Sequence, residues 1–236
     1  MEKSTVEEIR ERFDREVERF SNLETGQSAT VDATVALELI KEGVARVSPK
    51  ARSLLDLGCG AGNYSLKLLE VLPEVEITLV DLSRVMLDRA LERLAGRTRC
   101  DAVAIQGDVR ELNIGEERFD VIVAAMILHH LREEDEWMQV FEKLHRALRP
   151  GGSLWISDFV AHDIPQVQDV MWERYGEYLK RLKDATYRDQ VFAYVEKEDS
   201  PRSLTFQMEL MKRIGFRNVD VLHKNSCFAV FAAVKG

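Results

Sequence analysis

The chain has 236 residues, 45% hydrophobic and 31% charged, with a formal net charge of −8. That length holds one sizeable α/β domain with an added cap, and the composition excludes a disordered or fibrous protein. The acidic balance argues against a nucleic-acid partner, which needs clustered Lys and Arg to neutralise phosphates.

Val6, Ile9, Phe13, Val17 and Phe20 recur at helical spacing with Glu and Arg between them, which predicts an N-terminal helix. A second helix runs through Val35, Leu39, Ile40 and Val44 and stops near Ser48-Pro49. The first strand is 53–57, and it leads into Gly58-Cys59-Gly60-Ala61-Gly62 before a helix carrying Tyr64, Leu68, Leu69 and Leu72. Such a turn brings bare backbone to a ligand, because glycine alone visits positive φ cheaply. The helix N-terminus beyond it offers unpaired N–H groups to an anion. The spacing departs from the dinucleotide fingerprint, since Asn63 stands where its third glycine would fall. A purely structural glycine turn is the alternative reading.

The next apolar run, Ile77-Thr78-Leu79-Val80, ends in Asp81, an acid placed about twenty residues on to meet ribose hydroxyls. A helix with Val85, Met86, Leu87 and Leu91 follows, then Ala102-Val103-Ala104-Ile105 leading to Gly107-Asp108-Val109. The fourth strand, 119–125, runs into Met126-Ile127-Leu128-His129-His130-Leu131. A helix with Trp137, Val140, Phe141, Leu144 and Leu148 ends in Arg149-Pro150-Gly151-Gly152, and a fifth strand, 153–157, closes on Asp158. Strands alternating with helices of this length mean parallel β-α-β units. Beyond them lie a helix over 165–183, a less regular insert from Asp184 to Asp199, and a helix starting at Ser200-Pro201 and ending at Gly215. Two last strands, about Val219–His223 and Phe228–Val234, are linked so shortly that they must pair antiparallel.

The glycine turn after the first strand, the acids Asp81, Asp108 and Asp158 at successive strand ends, and the Leu148–Gly152 turn resemble the class I S-adenosylmethionine-dependent methyltransferases. The resemblance covers about residues 51–160 and the two C-terminal strands. It implies an α/β fold with a Rossmann-like, seven-stranded, mostly parallel sheet, helices on both faces and an antiparallel last strand. Four segments follow from it: N-terminal cap or lid helices over 1–50, a cofactor-binding core over 51–160, a helical cap insert over 161–202, and a helix and strand pair completing the core over 203–236.

It further implies S-adenosylmethionine as cofactor, held by Asp56, Gly58, Cys59, Gly60, Gly62, Asp81, Leu82, Met86, Asp108, Val109 and Ala124. The backbone of Gly60 to Gly62 would meet the carboxylate and Asp56 the cationic end. Asp81 would hold the ribose and Asp108 the adenine amine, with Val109 and Leu82 against the ring. His129 and His130, after the fourth strand, fall beside the transferable methyl and are the candidate catalytic residues. Methyl transfer is an in-line displacement that alignment alone can drive, and a base is needed only for a protonated nucleophile. Packing of the helix start is the alternative role for the pair.

Phe13, Tyr175, Tyr178 and Asp158 are the candidate substrate-binding residues, within an aromatic-rich cap that also reads as core. Asp158 equally suits a helix N-cap. No N-P-P-Y-type tetrad follows the fourth strand, where Ala124-Ala125-Met126-Ile127 stands. The expected function is methyl transfer to a small-molecule acceptor. One alternative is a carboxy-S-adenosylmethionine synthase or a tRNA-wobble-modification relative, which Phe13-Asp14-Arg15-Glu16-Val17 and the segment from Gly215-Phe216 to Phe228-Ala229 resemble. The arginine that distinguishes that branch has no clear counterpart, Arg188 aligning poorly. A non-catalytic S-adenosylmethionine-binding subunit is the other alternative.

Cys59, Cys100 and Cys227 are scattered, with no C-x-x-C pair, so reduced thiols and no metal are expected. No apolar run approaches the roughly 18 residues of a membrane span, and Met1-Glu2-Lys3-Ser4 starts no signal peptide. A cytoplasmic protein without membrane contact is expected, and the apolar face of the N-terminal helix could pack on a second copy in a homodimer.

Overall fold

The computed structural model describes residues 3–22, 27–97 and 101–236, and Cys100 lies outside them. Strand β1 (Ser53–Leu57) is buried at every position, as a parallel strand covered on both faces must be. It lies between β2 (Glu76–Asp81) and β4 (Phe119–Ala125), parallel to both. Beyond β2 lies β3 (Ala102–Gln106), and beyond β4 lies β5 (Leu148–Phe159). Strands β6 (Phe216–Asn225) and β7 (Phe228–Lys235) complete the sheet, with β7 antiparallel to both β5 and β6. Among the described residues the sheet has seven strands in the order β3-β2-β1-β4-β5-β7-β6. The chain reverses direction of travel between β1 and β4, and a crevice opens at the carboxyl ends of such a pair.

Helices α3 (Ala33–Val47), α4 (Asn63–Leu68) and α5 (Arg84–Leu94) cover one face, burying Ile40, Val44, Leu68 and Leu87 against Leu54, Ile77 and Leu79. Helices α6 (Glu134–Ala147) and α9 (Leu204–Ile214) cover the other with Trp137, Phe141, Leu144 and Met211. A third cluster joins α7 (Pro165–Leu182) and α8 (Ala185–Glu198) to the ends of β5 and β7 through Phe159, Tyr175, Leu179, Val195 and Phe228. Among the described residues no helix is long and apolar enough to cross a membrane.

Helix α3 approaches β5 closely because Gly43 faces the Trp155 ring; a Cβ there would overlap the indole. Gly43→Ala gains about 1 kcal/mol of helix propensity but overpacks the contact at about 1–3 kcal/mol. Net destabilisation by up to about 2 kcal/mol is expected in a urea melt, and a stabilised variant would contradict this packing.

The predicted N-terminal helix divides into α1 (Val6–Arg15) and α2 (Val17–Phe20). Thr5 and Glu8 form a capping box at its start. The chain leaves helical geometry at Glu16, φ −105° and ψ 10°, whose carboxylate takes Arg12 and Arg19. The apolar side of α1 turns inward, with Ile9 buried.

Three of the differences from the sequence reading bear on the site. The insert from Asp184 to Asp199 is a regular helix, α8, capped by Asp184, whose carboxylate accepts from the Tyr187 N–H at 2.7 Å. Its apolar residues serve both α7 and a cavity, so they form no single stripe. The last helix starts at Leu204 with Ser203 as N-cap, not at Ser200-Pro201; the Ser200 N–H is instead held by the His129 carbonyl at 2.7 Å. Asp158 lies inside β5, paired with Ala229, and caps no helix.

Candidate active site

The turn after β1 is pinned to β2: the N–H groups of Gly58 and Cys59 both donate to the Val80 carbonyl, at 2.8 and 3.0 Å. Gly58 and Gly60 hold φ of +66° and +49°, backbone that side chains rarely tolerate. The Gly60 N–H donates to Asp81 Oδ2 at 2.8 Å, and the Ser83 N–H to Oδ1 at 2.9 Å. Burial raises the Asp81 carboxyl to about 6 against these stabilising N–H groups. Asp108 is gripped by Arg110, whose Nε lies 3.0 Å from each carboxylate oxygen. Burial works against its ionisation, but Arg110 prevails and holds the carboxyl below its usual range.

At the end of β4, Met126 takes φ +54°, unusual for a side-chain-bearing residue and of the kind that gathers at functional sites. The following 3₁₀ turn, Leu128–His130, carries the histidine pair. His129 is buried, and its Nδ1 is bonded to Asp158 Oδ1. Its backbone N–H also meets Asp158 Oδ2, at 3.2 Å. Burial pushes the His129 imidazolium down, yet the carboxylates of Asp158 and Asp199 outweigh it and raise the group to about 9. Burial, then the positive charges of His129 and Arg12, push His130 well below its ordinary value. Among the described residues Asp199 Oδ1 has no hydrogen-bond partner.

Three cavities meet here. The largest, about 290 Å³, lies under the cap and is lined by Arg12, Phe13, His129, Tyr175, Tyr194 and Asp199 among others. A second, about 90 Å³, follows the glycine turn past Cys59, Asp81, Leu82 and Met86. A third, about 50 Å³, continues from Leu82 to Asp108 and Val109. His130 lines all three. Phe13 and Met126 line both of the larger ones.

Residues 55–154 match the family model of the methyltransferase domain. This stretch is a methyltransferase domain, and the comparisons support a class I S-adenosylmethionine-dependent enzyme. It is 25% identical to the carboxy-S-adenosyl-L-methionine synthase of Campylobacter lari over 207 residues, 84% of each chain. It is 31% identical to the malonyl-[acyl-carrier protein] O-methyltransferase of a Paenibacillus species over 158 residues, 64% of this chain and 55% of that enzyme. Among solved structures, human N-acetylserotonin methyltransferase superposes with a TM-score of 0.59 at 19% identity, over 94% of this chain and 56% of that one. At that identity the likeness is one of fold.

The methyltransferase brings Gly58, Cys59, Gly60, Asp81, Leu82 and Met86 onto one cavity wall, with Asp108 and Val109 beyond. The walls fit the cofactor: a Cβ on Gly60 would meet nothing within 4 Å, so the turn leaves an open cradle beside bare backbone. Three expected cofactor residues sit elsewhere. Asp56 is buried and accepts from the Ser65 N–H and hydroxyl at 3.1 and 2.6 Å, anchoring the start of α4 from beneath. Gly62 gives its N–H to the Cys59 carbonyl and lies close under Ala90, so its small size serves packing against α5. Ala124 is fully buried, and Ala125, Met126 and Ile127 form the wall instead. The Gly60 N–H, expected to meet the cofactor carboxylate, is taken by Asp81.

Of the expected substrate residues, Phe13 and Tyr175 line the large cavity. Tyr178 does not; its hydroxyl donates to the Ser28 carbonyl at 2.7 Å. Asp158 is buried behind His129 and lines none of the three cavities. Sequence reasoning missed Met126, Arg12 and above all Asp199. Asp199 is distant in sequence from the histidines, and no local pattern joins it to them.

Proposed function

We propose that the protein transfers a methyl group to a small-molecule acceptor held in the cavity under the cap. The observation that carries this reading is His130, which lines that cavity and both cavities of the glycine turn. S-adenosylmethionine, when bound, supplies an electrophilic methyl on a sulfonium centre. The chain's part is to orient the acceptor, exclude water and take up its proton. Phe13 and Tyr175 give the acceptor an apolar wall, and His130 is the residue placed to accept a hydrogen bond from its nucleophile. Gly58 to Gly60, Asp81, Leu82 and Met86 would hold the methionyl and ribose parts, and Asp108 and Val109 the adenine. Incubation with methyl-tritiated S-adenosylmethionine tests the acceptor class: label should enter small metabolites. Label in bulk tRNA, with steep salt dependence, would overturn the reading.

Asp81 gives this cofactor assignment a pH signature. Ribose hydroxyls donate to an ionised carboxylate, and the free carboxyl titrates at about 6. Affinity for S-adenosylmethionine is therefore expected to fall as pH drops through about 6, as protonation removes the acceptor. Calorimetry giving the same affinity at pH 5 and pH 7.5 would remove Asp81 from the site.

The N-terminal segment also fits a lid. Phe13 and Phe20 roof the cavities, and the segment is tied down by polar links that can open. Asn63 Nδ2 donates to the Phe20 carbonyl at 3.1 Å, and Arg89 Nε to Ser21 Oγ at 3.0 Å. A lid of this kind excludes water from the reacting centre. Amide exchange over residues 4–20 is expected to slow when S-adenosylhomocysteine binds, and unchanged exchange would mark a fixed roof. Since the apolar side of α1 packs within the chain, a homodimer would use another surface.

The similarity to carboxy-S-adenosylmethionine synthases sustains a second reading, in which the cofactor itself is carboxylated. An extra carboxylate needs a spare cation. Arg12, in the cavity wall, is held by Glu198 at 2.8 Å, and Arg188 by Asp189 at 2.6 Å. This favours the methyl acceptor, and a cofactor pool made heavier by one carboxylate would reverse the preference.

A further inference from the structure

His129, His130 and Asp199 line the large cavity, and each offers one ligand atom to a cluster whose atoms all lie within 4.8 Å of one another. The separations to Asp199 Oδ1 are 3.7 Å from His129 and 3.4 Å from His130. Ligand atoms about 2.0–2.2 Å from one ion, at angles of about 90–110°, stand about 3.0–3.6 Å apart. The two separations to Asp199 lie at or just above that range, so little side-chain movement brings its carboxylate and either histidine onto one ion.

Three further features mark a built site. The Asp199 side chain is 4% exposed, and its Oδ1 has no hydrogen-bond partner among the described residues. A buried acceptor without a hydrogen bond costs free energy, and the His129 imidazolium, 3.7 Å away, gives Asp199 charge but no hydrogen bond. His129 is held as a metal-binding histidine is, with Nδ1 bonded to the Asp158 carboxylate and Nε2 turned to the cluster; such a carboxylate fixes tautomer and ring orientation. The Ser200 N–H bond to the His129 carbonyl locks the Asp199 segment against the histidine turn. Arg12, the nearby cation, is neutralised by Glu198.

We propose that His129, His130 and Asp199 form a binding site for one divalent transition-metal ion, with Asp158 as the positioning residue behind His129. Two imidazoles and one carboxylate on one side of an ion leave the other side open, and here that side is the cavity. A bound ion would present a coordination position to an acceptor oxygen and favour its deprotonated form, taking over from His130, then a ligand, the task of receiving the nucleophile; that role rests on the acceptor reading above, and binding of the ion does not.

The test uses the full chain, stripped with chelator, and zinc as the probe, with no acceptor or turnover. Calorimetry and elemental analysis after dialysis should give one equivalent of zinc. Asp199→Asn and His130→Gln should lose it, Asp158→Asn should bind about 10–100-fold more weakly, and the remote His223→Gln should bind as before. Cobalt(II) in the wild-type chain should show the intense visible bands of a low-coordinate site, a readout independent of whether any variant folds. No stoichiometric uptake overturns the proposal. So does one equivalent retained unchanged in both Asp199→Asn and His130→Gln, or a cobalt spectrum of the hydrated ion alone.

Discussion

Gly60→Val is expected to abolish S-adenosylmethionine binding while leaving the protein folded. Two properties of the position separate these effects. Its φ is +49°, so a side chain strains the backbone by about 1–2 kcal/mol. Around its Cα there is no protein atom for a Cβ to strike within 4 Å, and the residue lines the cavity of the glycine turn. The new isopropyl group would therefore occupy ligand space and not core. Gly58 provides the contrast. A Cβ there would stand 2.6 Å from Ile127 Cδ1, at φ +66°. Gly58→Ala should cost stability through both strain and overpacking, together about 2–5 kcal/mol. Calorimetry on folded Gly60→Val with wild-type affinity would remove the turn from the binding site.

The second large effect is expected at His130. His130→Ala should lower kcat by about 10²–10⁴-fold, the usual worth of a positioned proton acceptor. The ring stands edge-on to Phe13, with centroids 6.2 Å apart, and 4.3 Å from that of His129. Its loss therefore opens the junction between cofactor and acceptor cavities as well as removing an acceptor atom. Steady-state kinetics on the identified acceptor decide the matter. A kcat within a few-fold of wild type would mean that alignment alone drives the transfer.

Much of the cavity wall along the glycine turn was legible because its signals are local. A buried five-residue strand, three glycines and Asp81 at the tip of the next strand are each short patterns with a physical reason. Asp56 shows where local reading fails. An acid just before a glycine turn can face ligand or helix, and here the first turn of α4 supplies its donors, the Ser65 N–H and hydroxyl. Ala124 differs for a related reason: β4 is covered on both faces from Val121 to Ala125, while the left-handed Met126 turns the chain out into the wall. The cap was harder. Helix α8 is apolar on more than one side because it packs on α7 and also lines a cavity, so the 3.6-residue period that revealed α6 is blurred. Asp199 follows that helix and meets the histidines only through the tertiary link from Ser200 to His129. Asp158 was visible as an acid at a strand end, yet its partner turned out to be His129.

A crystal structure of the complex with S-adenosylhomocysteine tests the central claim most directly. The claim predicts ribose against Asp81, adenine between Leu82 and Val109 near Asp108, and the sulfur facing the cavity where Phe13, Met126 and His130 meet. A sulfur turned away from His130, or a ligand bound outside the glycine turn, would contradict it.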